Sequence, residues 1–209
     1  MAEDLPELPP QAFTKEDPAP DPLFYTSPRF VTHIDERAVA AVTALYRALF
    51  PAGGTILDLM GSWVAHLPPE IDYGEVVGHG MNEDELKANP RYTRWFVQDL
   101  NADPILPLAD AAIDAAAICV SVQYLQHPVA VFAEVKRVLK PGGLIAITFS
   151  NRCFPTKAVA IWLGLPMGQH DRLVGLYLER AGFTALETLT LIPPGLDQDP
   201  LWAVTGRAG

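Results

Sequence analysis

The sequence predicts an α/β fold: a doubly wound, mostly parallel seven-stranded sheet whose last strand runs antiparallel. Three observations carry that expectation. Short apolar runs at residues 55–59 and 113–120 lack a polar face, so both of their sides must be covered. Amphipathic stretches with apolar residues at three-and-four spacing alternate with these runs. The chain has 209 residues, of which 49% are hydrophobic and 19% charged, the size and composition of one domain with a sizeable core.

Taken in order, residues 1–22 hold six prolines, six acids and one base, which predicts a flexible acidic arm with almost nothing to bury. Residues 23–52 read as an aromatic, turn-like opening from Phe24 to Phe30, then a helix over 35–50 with Val39, Val42, Leu45, Tyr46 and Leu49 on one face. Pro51-Ala52-Gly53-Gly54 ends it, and residues 53–209 form the sheet domain. Its first strand, 55–59, leads to a turn at Met60-Gly61-Ser62, and the second covers 75–78. Asn82 caps a short helix over 83–88 that Asn89-Pro90 stops. Strands follow at 95–97 and 113–120, then a helix over 129–139 closed by Lys140-Pro141-Gly142-Gly143. The fifth strand is 144–149. Asp171 is placed to cap a helix through Ala181, and 183–191 with 201–205 make a closing hairpin pair.

Fifteen Lys and Arg face 25 Asp and Glu, a net charge of -10, which gives no footprint for nucleic acid or an anionic membrane. The two cysteines, Cys119 and Cys153, cannot staple a fold, and Cys119 reads as core. Met1-Ala2-Glu3-Asp4 lacks the basic flank and apolar block of a signal peptide. The longest apolar stretch, 158–167, is interrupted by Gly164 and Pro166, so the expected address is the cytoplasm. There is no G-x-G-x-x-G, P-loop, C-x-x-C, H-E-x-x-H or G-x-S-x-G, and no metal site is expected. A single glycine in Met60-Gly61-Ser62-Trp63-Val64 argues against a dinucleotide's pyrophosphate.

In an open parallel sheet ligands bind beyond the carboxyl ends of the strands. The residues there are Asp58, Met60, Gly61, Ser62 and Trp63; His79, Gly80, Met81 and Asn82; Gln98, Asp99 and Leu100; and 120–124. The order "TILDLMGSW", "VVGHGMNEDEL", "WFVQDLNADPILPLADAAIDAAAICVSVQYLQHP" and "FAEVKRVLKPGGLIAIT" resembles the class I S-adenosylmethionine-dependent methyltransferases, in the branch acting mostly on small molecules. The likeness spans about residues 53–207 and implies a Rossmann-like methyltransferase fold with S-adenosylmethionine as cofactor. By that resemblance Asp58 orders the loop and approaches the methionine moiety, with Met60, Gly61 and Ser62 along it. Asp99 accepts from the adenine amino group, Leu100 offers its N–H to the ring, and Val120 and Ser121 border the sulfonium. Three stretches depart from the family: Met60, Ser62 and Val64 stand where its loop has glycines, Pro68-Pro69 cuts its first helix to little more than a turn, and His79-Gly80-Met81-Asn82 stands where it has a ribose-binding carboxylate. There Asn82 can offer an amide and Met81 can pack on adenine beside Gly80.

The implied function is methyl transfer to a small, apolar or aromatic acceptor. The alternative is a catalytically inactive, methyltransferase-like binding or interaction protein. No nucleic-acid or membrane partner is expected, and neither a catalytic residue nor the oligomeric state is legible. Arg29 is read either as a partner for the cofactor carboxylate or as a surface arginine. Tyr25, Tyr124 and Trp162 are candidates for cation–π contact with the sulfonium. His33 and His170 lie in segments expected over the crevice, whereas His66, on a short helix, and His127 read as loop or surface residues. Asn151 to Phe154 either line the acceptor pocket or form a plain loop.

Overall fold

In the computed structural model, which describes residues 5–166 and 168–209, seven strands form one sheet in the order β3-β2-β1-β4-β5-β7-β6. They are β1 (Thr55–Leu59), β2 (Glu75–Gly80), β3 (Arg94–Val97), β4 (Ile113–Cys119), β5 (Leu139–Ser150), β6 (Phe183–Ile192) and β7 (Leu201–Ala208). β1 to β5 run parallel, and β7 lies antiparallel between β5 and β6. The strand order reverses between β1 and β4, which opens a crevice at their carboxyl ends.

Adjacent strand residues face opposite layers, and the buried side chains divide accordingly. Leu57, Ile118 and Ile147 pack with Phe132 and Val135 of α4 (Pro128–Val138) and Tyr177 of α6 (His170–Arg180). Ile56, Ala117 and Ala146 pack with Val42 and Tyr46 of α2 (Glu36–Leu49). Asp35 caps α2 by accepting from the Ala38 N–H at 2.8 Å, and Asn82 caps α3 (Glu83–Ala88) by accepting from Glu85 N–H at 3.1 Å. Two short helices not anticipated from the sequence, α1 (Asp21–Phe24) and α5 (Ala160–Gly164), complete the set. Helix α6 begins at His170 with Gln169 at its cap, so Asp171 lies in the first turn and does not cap it.

Two expectations are corrected. No helix follows β1: residues 61–74 are a loop through Pro68-Pro69, and His66 lies on that loop. The face left uncovered there is filled by α2. The segment read as a flexible arm is packed from Leu5 to Pro22, while residues 1–4 lie outside the described residues, as does Met167. Leu5 and Ala12 are buried, and the N–H groups of Ala160 and Ile161 donate to Thr14 O and Ala12 O, each at 2.8 Å. Charge, which composition counted as a reason for solvation, is here the means of attachment. Lys157, 1% exposed, reaches Asp17 at 3.0 Å and Asp21 at 3.4 Å, and Lys15 also pairs with Asp21. Among the described residues no helix is long and apolar enough to cross a membrane.

Under the crevice, Tyr92 lies against Gly78 and Gly61, and a methyl group at Gly78 would overlap the tyrosine ring. Gly78→Ala is therefore expected to cost roughly 3 kcal/mol through overpacking. That lowers the thermal midpoint by about 6–12 °C, read by calorimetry. A change within 1 °C or so would show that the ring moves aside freely.

Candidate functional site

A cavity of about 330 Å³ opens at the crevice between β1 and β4, within the range of small-molecule sites. The strand ends supply Asp58, Met60, Gly61 and Ser62 from β1, Gly80, Met81 and Asn82 from β2, Asp99 and Leu100 from β3, and Val120 and Ser121 from β4. The segment before α2 supplies a wall that includes Tyr25, Arg29 and His33, and Arg152 to Phe154 after β5 close another side. Arg29 and every strand-end residue named from the sequence as a cofactor contact therefore line one cavity. Trp63 is not part of its lining; its indole donates to Val31 O at 3.1 Å and meets Phe30 edge-on.

His79 organises this floor. Its Nδ1 accepts from the Met60 N–H at 2.9 Å, so the proton sits on Nε2, which donates to Gln98 O at 3.0 Å. Its carbonyl accepts from the Gly61 N–H at 2.7 Å. One side chain thus ties the ends of β1, β2 and β3 together. The ring is 1% exposed, and burial pushes its pKa down to about 4, so it stays neutral. Met60 and Val120 both hold left-handed backbone, with φ of 58° and 51°. Such strain in non-glycine residues, β-branched Val120 above all, gathers at ligand sites.

Asp58 is buried with one hydrogen bond, from Tyr92 OH at 2.7 Å, and no cation beside it. Desolvation raises its pKa to about 7. Arg29 is stacked on Phe24, with its guanidinium carbon 4.5 Å from the ring centre. Its Nη2 donates to Phe24 O at 2.9 Å, while Nη1 is buried without a partner. Ser121 Oγ is likewise buried and unpartnered. These orphaned atoms suit a polar guest.

The structure redistributes several sequence candidates. The amide of Asn82 is already committed: it donates to Tyr25 O at 2.9 Å and Thr26 O at 3.2 Å, while its oxygen caps α3. Asn82 therefore anchors the N-terminal wall and offers no free donor. Ser62 caps no helix; its hydroxyl donates to Glu85 at 2.6 Å, and Glu85 also accepts from Arg29 N–H at 2.6 Å. Tyr25 and Tyr124 line the cavity, but Trp162 packs on Phe149, and His170 holds Trp162 O outside it. Cys119 is half-buried at the cavity rather than sealed in the core. His66 also reaches the lining. Glu85 was missed because it follows the strand end by five residues, although its i+3 spacing from the Asn82 cap turns it back toward the loop. Among the described residues no group of three or more His, Cys, Asp or Glu could hold a metal ion.

Residues 61–147 match the family model described as "Methyltransferase domain". An uncharacterized methyltransferase of Mycobacterium bovis is 31% identical over 134 residues, covering 61% of this chain and 47% of that protein. The chain thus spans about half the length of the curated relatives it matches. Among solved structures, an S-adenosylmethionine-dependent methyltransferase from Mesorhizobium loti superimposes with a TM-score of 0.57 at 19% identity, over 80% of this chain and 98% of that one. The [4+2]-cyclase SpnF gives 0.62 at 15% identity, over 90% and 92%. These likenesses establish the fold.

The neutral imidazole has a measurable signature. His79 would take up a proton near pH 6.5 when unfolded but only near pH 4 when folded, so its contribution is complete above about pH 6.5 and is lost as pH falls toward 4. The amount is about 3 kcal/mol. Asp58 runs the other way, favouring the folded state at low pH and losing that advantage as pH rises from 3.8 through about 7. Comparison with His79→Gln, which does not titrate, isolates the imidazole. In urea unfolding, the variant is expected to gain up to about 3 kcal/mol on wild type between pH 7 and pH 4. A difference that does not change with pH would exclude a buried neutral His79.

Proposed function

We propose that this chain belongs to the class I S-adenosylmethionine-dependent methyltransferases, binds S-adenosylmethionine in the crevice between β1 and β4 and methylates a small, apolar or aromatic acceptor; the match of residues 61–147 to a methyltransferase-domain model supports this. S-adenosylmethionine is the methyl donor of this family. The observation that carries the reading is the single cavity lined by Asp58, Met60, Asp99, Leu100, Val120 and Ser121 from separate strand ends, with an unpartnered buried arginine nitrogen among them.

The residues present fit the group. Arg29 Nη1 would receive its carboxylate as a charge-assisted hydrogen bond. Asp58 would face the cationic side of the methionine moiety and give up its proton there. Asp99, whose Oδ1 accepts from the Asn101 N–H at 3.0 Å, and Leu100 would hold the adenine. Met60, Gly61 and Ser62 would lie along the methionine chain, with Gly80, Met81 and the backbone of Asn82 beside the ribose. When bound, the group supplies a methyl carried on a positively charged sulfonium. Tyr25 and Tyr124 supply aromatic faces to that charge. The protein's own share would be to orient the acceptor and exclude water, a task for the N-terminal wall and for Phe154, which meets that wall at Phe24 and His33. A small-molecule acceptor, without nucleic-acid or membrane partners, and a cytoplasmic address belong to this proposal.

A second reading, a methyltransferase-like binding or interaction protein without catalysis, is favoured by the committed amide of Asn82, which leaves no free side-chain donor at the β2 end. The resemblance in fold to a [4+2]-cyclase is a reminder that this architecture does not fix the reaction.

Thermal melting separates the outcomes. S-adenosylhomocysteine at a hundredfold excess over its dissociation constant should stabilise by ~2.7 kcal/mol, raising the midpoint by about 5–11 °C. Asp99→Ala and Arg29→Met should each reduce the shift. No shift at millimolar ligand rejects cofactor binding, and a shift without methyl transfer favours the second reading.

The charge on Asp58 adds a pH dependence. Affinity for S-adenosylhomocysteine should rise between about pH 6 and 7.5 as the carboxyl loses its proton near 7, and Asp58→Asn should flatten that rise. Titration calorimetry at several pH values decides it, and an equal slope in both proteins would remove Asp58 from the ligand.

A further inference from the structure

The loop that replaces a helix after β1 brings an unexpected group into the cavity. His66 holds left-handed backbone at φ 53°, which is uncommon outside glycine, and its carbonyl is fixed by the Thr43 hydroxyl of α2 at 2.9 Å. Its side chain lines the cavity, and its Nδ1 is shut away from solvent without a partner. The other histidines near the site differ. His79 spends both nitrogens on Met60 and Gln98, His170 is bonded to Trp162 O outside the lining, and His33 stands exposed at the rim with its edge on Phe154.

We propose that His66 is the proton acceptor for a substrate hydroxyl or thiol, which makes phenol-like and thiol compounds the acceptor class; this rests on the methyl-transfer reading above. The carboxylates lining the cavity are engaged elsewhere: Asp58 with Tyr92, Glu85 with Ser62 and Arg29, Asp21 with Lys15, Lys157 and Asn101, and Asp99 with the Asn101 N–H. Arg152 is paired with Asp199. Burial alone acts on the His66 ring and lowers its pKa, so the imidazole meets an acceptor uncharged, as a base must. In the step, the acceptor's O–H or S–H proton passes to the imidazole. The freed electron pair forms the bond to the methyl carbon, the sulfur–methyl bond breaks with its pair retained on sulfur, and a neutral thioether remains. The imidazolium then returns its proton to water.

The test uses the full chain saturated with S-adenosylhomocysteine and phenol as the acceptor probe, with the histidine ring nitrogens followed by nitrogen NMR. Wild type is expected to bind phenol with a shift of one histidine ring nitrogen as the phenol O–H donates to it. His66→Gln, and His66→Asn, which tolerates the left-handed backbone, should bind S-adenosylhomocysteine unchanged and lose that shift. His170→Gln, outside the lining, should behave as wild type. The inference is overturned if the His66 variants keep the shift, if His170→Gln loses it, or if wild type binds phenol without it or not at all. Failure of S-adenosylhomocysteine itself to bind brings down the methyl-transfer reading, and this inference with it. Normal binding of S-adenosylhomocysteine with no such shift brings down this inference alone.

Discussion

An imidazole that is denied its charge is the constraint on which the crevice depends. His79 must accept from Met60 and donate to Gln98 at once, which a protonated ring cannot do. Because it does both, the loop after β1 is drawn over the end of β2, and Met60 is held in left-handed backbone without a glycine. Gly61 then lies directly above Asp58, close enough that a side chain at 61 would strike that carboxylate and the Tyr92 hydroxyl. The floor of the cavity is thus held by hydrogen bonds, with a single glycine in the turn after β1. Side chains locked in this way preorganise the lining of a cavity before anything enters it.

Much of the frame was legible. The apolar runs gave β1 and β4 almost to the residue, the apolar spacing placed the start of α2 within one residue, and the capping asparagine at 82 marked the start of α3. These signals are local, since a cap or a buried strand depends on neighbours a few positions away. The ends of strands named the cofactor candidates, because a parallel sheet brings its carboxyl ends together whatever the loops do.

What stayed hidden depends on contacts distant in sequence. The acidic arm could be recognised as attached only by knowing that Lys157 lies buried beneath it, more than a hundred residues away. The role of Asn82 could not be read either, since the carbonyls of Tyr25 and Thr26 that consume its amide carry no side-chain signature. His66 was assigned to a surface helix because Pro68-Pro69 suggested a shortened helix rather than none. Once the helix is absent, the same residue turns inward.

The wall before α2 has a wider meaning. Its grip on the domain at Asn82 and Glu85 uses peptide groups of residues 25, 26 and 29, so the attachment is indifferent to which side chains those positions carry. The stretch that matches the methyltransferase-domain model, 61–147, includes neither this wall nor Arg152 to Phe154, whose Phe154 packs on it. These two parts of the cavity's lining are therefore encoded apart from the stretch that matches the model. A lineage could exchange the side chains at positions 25, 26 and 29, substitution by substitution, without breaking the bonds that hold this wall to Asn82 and Glu85.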